Sequence, residues 1–213
     1  MDTSNKNRYL SIIVGIFLAI VLGLGGVFAV SLGIKNARAV VKYEKITIDE
    51  ETLNYLCAYY KAMYIDELKA ENIDASDTQQ FWSDNTQYGI TYGEHFRAQF
   101  RMYVASLAAA ANHYSNHSLY TPDDKLTVTV TCDNVLTNEA QGDVSIFNSI
   151  GKKYGFNYND FQNAAALIYK AQRAEECTEI DVDLIVGDVR FGGKFNDIDF
   201  LAIPALENFI VFR

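Results

Sequence analysis

Residues Tyr9 to Ile34 carry no charged side chain. As a helix rising about 1.5 Å per residue, this run is about 39 Å long. A hydrocarbon core is roughly 30 Å thick, so the run can span it with some tilt. No other stretch constrains the fold as much, because it places the residues after Lys35 beside a membrane. Three readings compete. A cleaved signal peptide has an apolar core of roughly 7–15 residues and a small-x-small cleavage site. The run here is longer, and its one Ala-x-Ala, Ala37-Arg38-Ala39, lies beyond Lys35. Length therefore favours an uncleaved signal-anchor over cleavage, and both over a buried soluble helix. Gly15 and Ala19 form a small-xxx-small pair of the kind that packs two spans together. Ordinary glycine content in a membrane helix is the better account of them.

Flanking charge does not orient the span. Lys6 and Arg8 precede it, and Lys35, Arg38, Lys42 and Lys45 follow it. Long domains translocate largely regardless of such charges. The expected organisation is a cytoplasmic stub over 1–8, the anchor over 9–34, a helical domain over 39–176 and a tail over 177–213.

The chain has 18 Lys and Arg against 27 Asp and Glu, a formal net charge of −9. Of the acids only Asp2 precedes Lys35, so the part after the anchor is more acidic than the whole. Such a domain repels nucleic acid and anionic headgroups. The three cysteines, Cys57, Cys132 and Cys177, are widely spaced, which fits neither a disulfide framework nor a zinc pattern. One long-range disulfide is compatible with an extracytoplasmic domain. Cys57 falls on an apolar helix face, which favours a buried thiol.

Patterning after the anchor is mainly helical. Ala39 to Ile46 is short and β-branched, an extended lead-in. Thr47-Ile48-Asp49-Glu50 has the form of a capping box. Leu53, Leu56, Cys57, Tyr60, Met63, Tyr64 and Leu68 then recur at spacings of three and four, predicting a helix to about Ala70. Asn72 to Tyr88 reads as polar loop around Phe81-Trp82. Thr91 and Glu94 form a second capping box before Phe96, Phe100, Val104, Leu107, Ala108 and Ala111. Thr121-Pro122-Asp123-Asp124 is a third helix start. The alternation Leu126 to Cys132 argues for strand instead, and the start signal tips the balance to helix. Asp143 caps a short helix carrying Ile146, Phe147 and Ile150, which stops at Tyr154-Gly155. Asn157 and Asp160 open the last helix, expected to reach about Glu176. Beyond Glu179, Ile180 to Val186 and Asp197 to Phe200 alternate around Gly187 and Gly192-Gly193, which suggests two or three short strands.

Candidate chemistry is sparse. His113 and His117 are four residues apart, a spacing two metal ligands can use, yet no third ligand stands at a fixed offset. Asp181, Asp183, Asp188, Asp197 and Asp199 do not follow an EF-hand pattern. There is no phosphate-binding glycine loop outside the apolar run and no nucleophile elbow. No cofactor, metal or catalytic group is expected.

The aromatic residues carry more information. The chain has 14 Tyr, 13 Phe and one Trp. Tyr55, Tyr59, Tyr60, Tyr64, Phe81, Trp82, Tyr88, Tyr92, Phe96, Phe100 and Tyr103 fall on two helices and the loop between them. Adjacent helical residues point about 100° apart, so Tyr59 and Tyr60 cannot both face one core. Most of these rings belong to the core, given the area each buries. The rest are expected to line a groove for apolar peptide. The candidate peptide-binding residues are Tyr59, Tyr60, Tyr64, Phe81, Trp82, Tyr88, Tyr92, Phe96, Phe100 and Tyr103.

The order of these segments is similar to a known family. Val40 to Glu50 resembles a short strand, a polar turn and the opening of a long helix. Phe81-Trp82, Tyr88 to Glu94 and the alanine-rich helix to His113 continue the likeness. Phe147 to Phe161 and Ala164 to Ala174 close it. Over residues 39–176 the chain resembles the N-terminal helical region of the SurA/PrsA-like extracytoplasmic chaperone and peptidyl-prolyl isomerase proteins. The resemblance implies an N-inside anchor and a domain that holds unfolded or newly exported polypeptide. It gives no counterpart to the family's parvulin domain: few residues follow Glu176, and none is histidine. The expectation is thus a single-pass, extracytoplasmic chaperone-like protein without isomerase activity. The alternative is a structural or assembly subunit, whose helical domain joins a fixed membrane-protein partner.

Overall fold

The computed structural model describes residues 39–116, 119–177 and 188–206. The run 9–34, His117, the strand-like 180–186 and the apolar end Phe209 to Arg213 lie outside them. Among the described residues no helix is long and apolar enough to cross a membrane. The described fold is mainly α, with one small sheet.

The extended lead-in is a hairpin. Strands β1 (Ala39–Tyr43) and β2 (Ile46–Asp49) are joined at Glu44-Lys45, with Glu44 in the left-handed region at φ +45°. Glu44 Oε2 accepts from the side-chain amides of Asn112 at 2.8 Å and Asn116 at 2.9 Å, which docks the turn on a helix. Val40, Val41, Ile46 and Ile48 are buried. The alternation of Ile46 and Ile48 carries the strand past Thr47, so the capping box expected at Thr47 does not form. Asp49 is the N-cap of α1 (Glu50–Ala70) instead, accepting from Thr52 N at 3.0 Å. The helix ends where the periodicity stops.

Helix α2 (Gln79–Ser83) occupies the segment expected to be loop. The Thr78 hydroxyl caps it, accepting from Phe81 N at 3.3 Å. Burial of Phe81 and Trp82 holds so short a helix in place. The Thr91 box forms as expected: Thr91 N donates to Glu94 Oε2 at 2.9 Å, and Glu94 N to Thr91 Oγ1 at 3.1 Å. It opens α3 (Tyr92–Asn116).

In α4 (Pro122–Ala140) the strand propensity of Leu126 to Cys132 loses to helix. Thr127, Thr129 and Thr131 each return their hydroxyl to the carbonyl four residues earlier, at 2.8–2.9 Å. Val128, Cys132, Val135 and Leu136 supply a buried stripe at helical spacing. Helix α5 (Val144–Gly151) is capped by Asp143, and a 3₁₀ turn over Lys152–Tyr154 ends at Gly155 with φ +80°. Asn157 opens α6 (Tyr158–Cys177): Asn157 N donates to Asp160 Oδ2 at 2.9 Å and Asp160 N to Asn157 Oδ1 at 3.3 Å.

Helices α3 and α6 make the most extensive contact between elements. Both bury small side chains, Ala105, Ala108 and Ala111 on one and Ala164, Ala165 and Ala174 on the other. Small residues let helix axes approach closely.

Over its described residues, 188–206, the tail departs from the strand expected at Asp197 to Phe200. Among the described residues of the tail, β3 (Arg190–Phe191) joins the sheet, pairing antiparallel with β1 through Val41 and Phe191, in the order β2-β1-β3. The segment Asp197 to Phe200, expected as strand, instead ends the short helix α7 (Gly193–Asp197) and turns. Ring packing overrides its alternation. Phe195 and Phe200 pack at 4.9 Å and Phe200 meets Phe100 of α3 at 5.1 Å, so both must point inward from a bend.

Candidate functional site

The ten aromatic candidates divide by burial. Phe96 and Phe100 are completely buried, and Tyr64, Phe81 and Trp82 are buried almost as fully. They form a continuous ring cluster, with Trp82 5.3 Å and Tyr64 5.5 Å from Phe96, and Phe96 5.9 Å from Phe100. Phe81, Trp82, Phe96 and Phe100 are core residues of this domain and leave no ring face open. Tyr59 is half-buried and stacks on Tyr55, while Tyr103 stacks on Tyr60 at 4.6 Å.

The other four, Tyr60, Tyr64, Tyr88 and Tyr92, line one surface cleft of about 660 Å³. One wall is the C-terminal half of α1, with Tyr60, Tyr64, Glu67, Leu68 and Glu71. The facing wall is the start of α3, with Tyr92, His95 and Gln99. The loop before α3 closes one end with Thr86, Gln87 and Tyr88. That loop is tightly built. Thr86 N donates to Ile90 O at 2.8 Å and Gly89 N to Thr86 O at 3.1 Å. Gly89 sits at φ +79°, a conformation open to glycine without strain. The turn lifts Tyr88 into solvent, 76% exposed.

Inside the cleft the Tyr64 hydroxyl lies 2.7 Å from His95 Nδ1, and Gln99 Nε2 lies 3.5 Å from His95 Nε2. Both imidazole nitrogens are therefore engaged. Burial pushes the Tyr64 hydroxyl up to about 12, with neighbouring tyrosines, Glu67 and Glu71 acting in the same direction. Burial and Glu67 raise Tyr60 also. Both phenols stay protonated at neutral pH. Among the described residues no Lys or Arg lines the cleft, whereas Glu67 and Glu71 are exposed there. The cleft presents aromatic side chains, amides, hydroxyls and negative charge. Among the described residues no group of three His, Cys, Asp or Glu side chains is placed to hold a metal ion.

His95, Glu67 and Glu71 were not among the candidates, though their spacing points to them. Tyr60, Tyr64, Glu67 and Glu71 follow one another at four, three and four residues, and Tyr92, His95 and Gln99 at three and four. Each set makes one helix face.

A second polar constellation lies beneath the aromatic cluster. Lys61 is completely buried on α1. Its ammonium donates to Asp77 Oδ1 at 3.3 Å, to Leu201 O at 3.1 Å and to Ile203 O. The same ammonium stands 5.2 Å from the Trp82 ring and 5.7 Å from Phe96. Asp77 also accepts from Trp82 Nε1 at 2.8 Å and from Ala205 N at 2.6 Å. Cys57 Sγ donates to Phe200 O and Leu206 N donates to Ala58 O. The segment 200–206 is thereby strapped onto α1. Position 61 falls in register with Cys57, Tyr64 and Leu68, so a lysine there is a charge in an apolar stripe.

The chain matches no protein-family model, and no curated protein or solved structure is significantly similar to it.

Proposed function

We propose that this chain is a membrane-tethered, extracytoplasmic polypeptide-binding protein of chaperone type, acting without catalysis. The observation that carries the reading is the cleft of about 660 Å³, in which Tyr60, Tyr88 and Tyr92, over a buried Tyr64, meet amide and carboxylate groups. Clefts of roughly 300–1,000 Å³ accommodate compact ligands or short peptide segments. Tyrosine offers apolar area to unrelated side chains at low entropic cost and keeps a hydroxyl for their backbones. The uncharged run from Tyr9 to Ile34 serves as the tether, with the domain outside the cytoplasm. The mainly helical fold and the element order over 39–176 support kinship with the SurA/PrsA-like chaperones, without isomerase activity.

The test is aggregation of a chemically unfolded client with the full chain in nanodiscs. Suppression is expected, and Tyr88→Ser is expected to weaken it. Absence of suppression at excess chain would sink the reading.

A fixed assembly partner is the second reading. Leu126 and Val130, one turn apart on α4, are 62% and 48% exposed and lie outside the cleft. Two such residues on one helix face suit a permanent contact better than transient clients. Recovery of one stoichiometric partner from detergent extracts, lost in Leu126→Ser with Val130→Ser, would favour it.

A further inference from the structure

We infer that the cleft selects basic side chains: it takes an extended polypeptide through a lysine or arginine seated among its tyrosines and closed off by Glu67 and Glu71. The inference rests on the polypeptide-binding reading and specifies which segments that site prefers.

Three independent observations converge on a cation. The first is the lining. Tyr60, Tyr88 and Tyr92 border the space with the largely buried Tyr64 at its floor, and among the described residues no Lys or Arg enters it. Aromatic faces attract an ammonium or guanidinium held within about 6 Å. The aliphatic stem of the same side chain packs on the rings.

The second is the uncompensated charge. Glu67, in the last turn of α1, and Glu71, its C-cap, stand four residues apart, where their like charges repel each other and oppose the negative end of the helix dipole. Among the described residues neither is in an ion pair. A bound cation relieves that repulsion. An anionic or purely apolar ligand does not.

The third is a cation already held this way within the molecule. Lys61 sits against Trp82 and Phe96, with the Asp77 carboxylate at 3.3 Å and backbone carbonyls completing its shell. The cleft offers a guest the same elements, rings and carboxylates, at the surface. The volume leaves room beyond one side chain, so flanking residues of an extended segment also enter. The chain's formal charge of −9 steers basic segments toward it.

The test uses the full chain in nanodiscs of zwitterionic lipid, which removes attraction of basic peptides to the bilayer. Three fluorescein-labelled peptides identical except at one central residue, Lys, norleucine or Glu, are titrated by fluorescence anisotropy. The Lys peptide is expected to bind about tenfold tighter than the norleucine peptide, with the Glu peptide weakest. The advantage should shrink as salt is raised, and should fall to about twofold or less in Glu67→Gln with Glu71→Gln. Both positions are exposed, so the double variant should keep its melting temperature. Equal binding of the Lys and norleucine peptides would overturn the selectivity while leaving the polypeptide-binding reading in place. Binding of none would overturn both. A double variant that keeps the full Lys preference would show that the carboxylates do not confer it.

Discussion

Lys61 and Asp77 meet at 3.3 Å and divide the backbone of one segment between them. The ammonium takes the carbonyls of Leu201 and Ile203, and the carboxylate takes the amide of Ala205. The Lys61 side chain is withdrawn from solvent, while Asp77 keeps a quarter of its side chain exposed; one satisfies acceptors and the other a donor of the same segment. The pair thus acts as a clamp.

Removing one half of the clamp should cost more than a surface ion pair would. In Lys61→Met the stem is replaced, while two carbonyls lose the ammonium and Asp77 keeps only Trp82 Nε1 and Ala205 N as donors. Unsatisfied buried groups cost about 1–3 kcal/mol each, and a broken buried pair about 3–5 kcal/mol. The Asp77 side chain is 25% exposed, so water recovers part of this. A loss of about 2–4 kcal/mol in urea denaturation is expected. Limited proteolysis should cut first within 200–206. Unchanged stability and an unchanged cleavage map would contradict the clamp.

Asp124 should govern an acid transition. Its carboxylate accepts from Tyr169 Oη at 2.7 Å, from Thr121 N at 2.7 Å and from Tyr114 Oη at 3.3 Å. These bonds, that from Tyr169 foremost, hold it down to about 2. An unfolded aspartate titrates at about 3.9. A group depressed in the folded state stabilises above its unfolded value, and that contribution is lost as pH falls through the folded one. Asp124→Asn should therefore be less stable than wild type at neutral pH by about 1–2 kcal/mol. The gap should close between about pH 4 and pH 2. Melting temperature against pH for both proteins measures it.

Cys57 and Cys132 should be inert thiols. Burial pushes Cys57 up to about 12 and Cys132 up to about 11, so neither holds appreciable thiolate at pH 8. In Cys177→Ser, Ellman's reagent should release no colour from the folded protein and two equivalents after denaturation. Rapid reaction in the folded state would show that one thiol is accessible.

The aromatic residues should separate into two classes by stability. Phe96→Ala removes a fully buried ring and should cost about 3–5 kcal/mol. Tyr88→Ser changes a side chain that is 76% exposed and should stay within about 0.5 kcal/mol. Urea titration of both variants distinguishes a core ring from a displayed one.

Much of the helical framework was legible because its signals are local. Thr91 with Glu94, Thr121 with Asp124 and Asn157 with Asp160 announce their helices within four residues, and all three caps form. Thr47 misled because Ile46 and Ile48 belong to a strand, paired with β1 across the turn at Glu44-Lys45, which carries the extended backbone past Thr47. Phe81-Trp82 misled for a related reason: five residues make a helix only where the rings find a core. The cleft was half legible. Tyr60, Tyr64, Tyr88 and Tyr92 were singled out for their residue type, but type alone could not separate them from Phe96 or Phe100. The polar half, Glu67, Glu71 and His95, appears once two helix faces are set against each other. Lys61 was hidden because its compensation comes from residues up to 142 positions away.

The strand order has a mechanical consequence. β1 lies between β2 and β3, so the first described strand is the central one, not an edge. Tension applied through residue 39 meets hydrogen bonds on both flanks at once, including that of Gly192 N to Val40 O. The pull is then shared with Arg190–Phe191, far along the chain, before it reaches α1. A domain built this way resists being peeled open from residue 39, because its first described strand is stitched to its last described one.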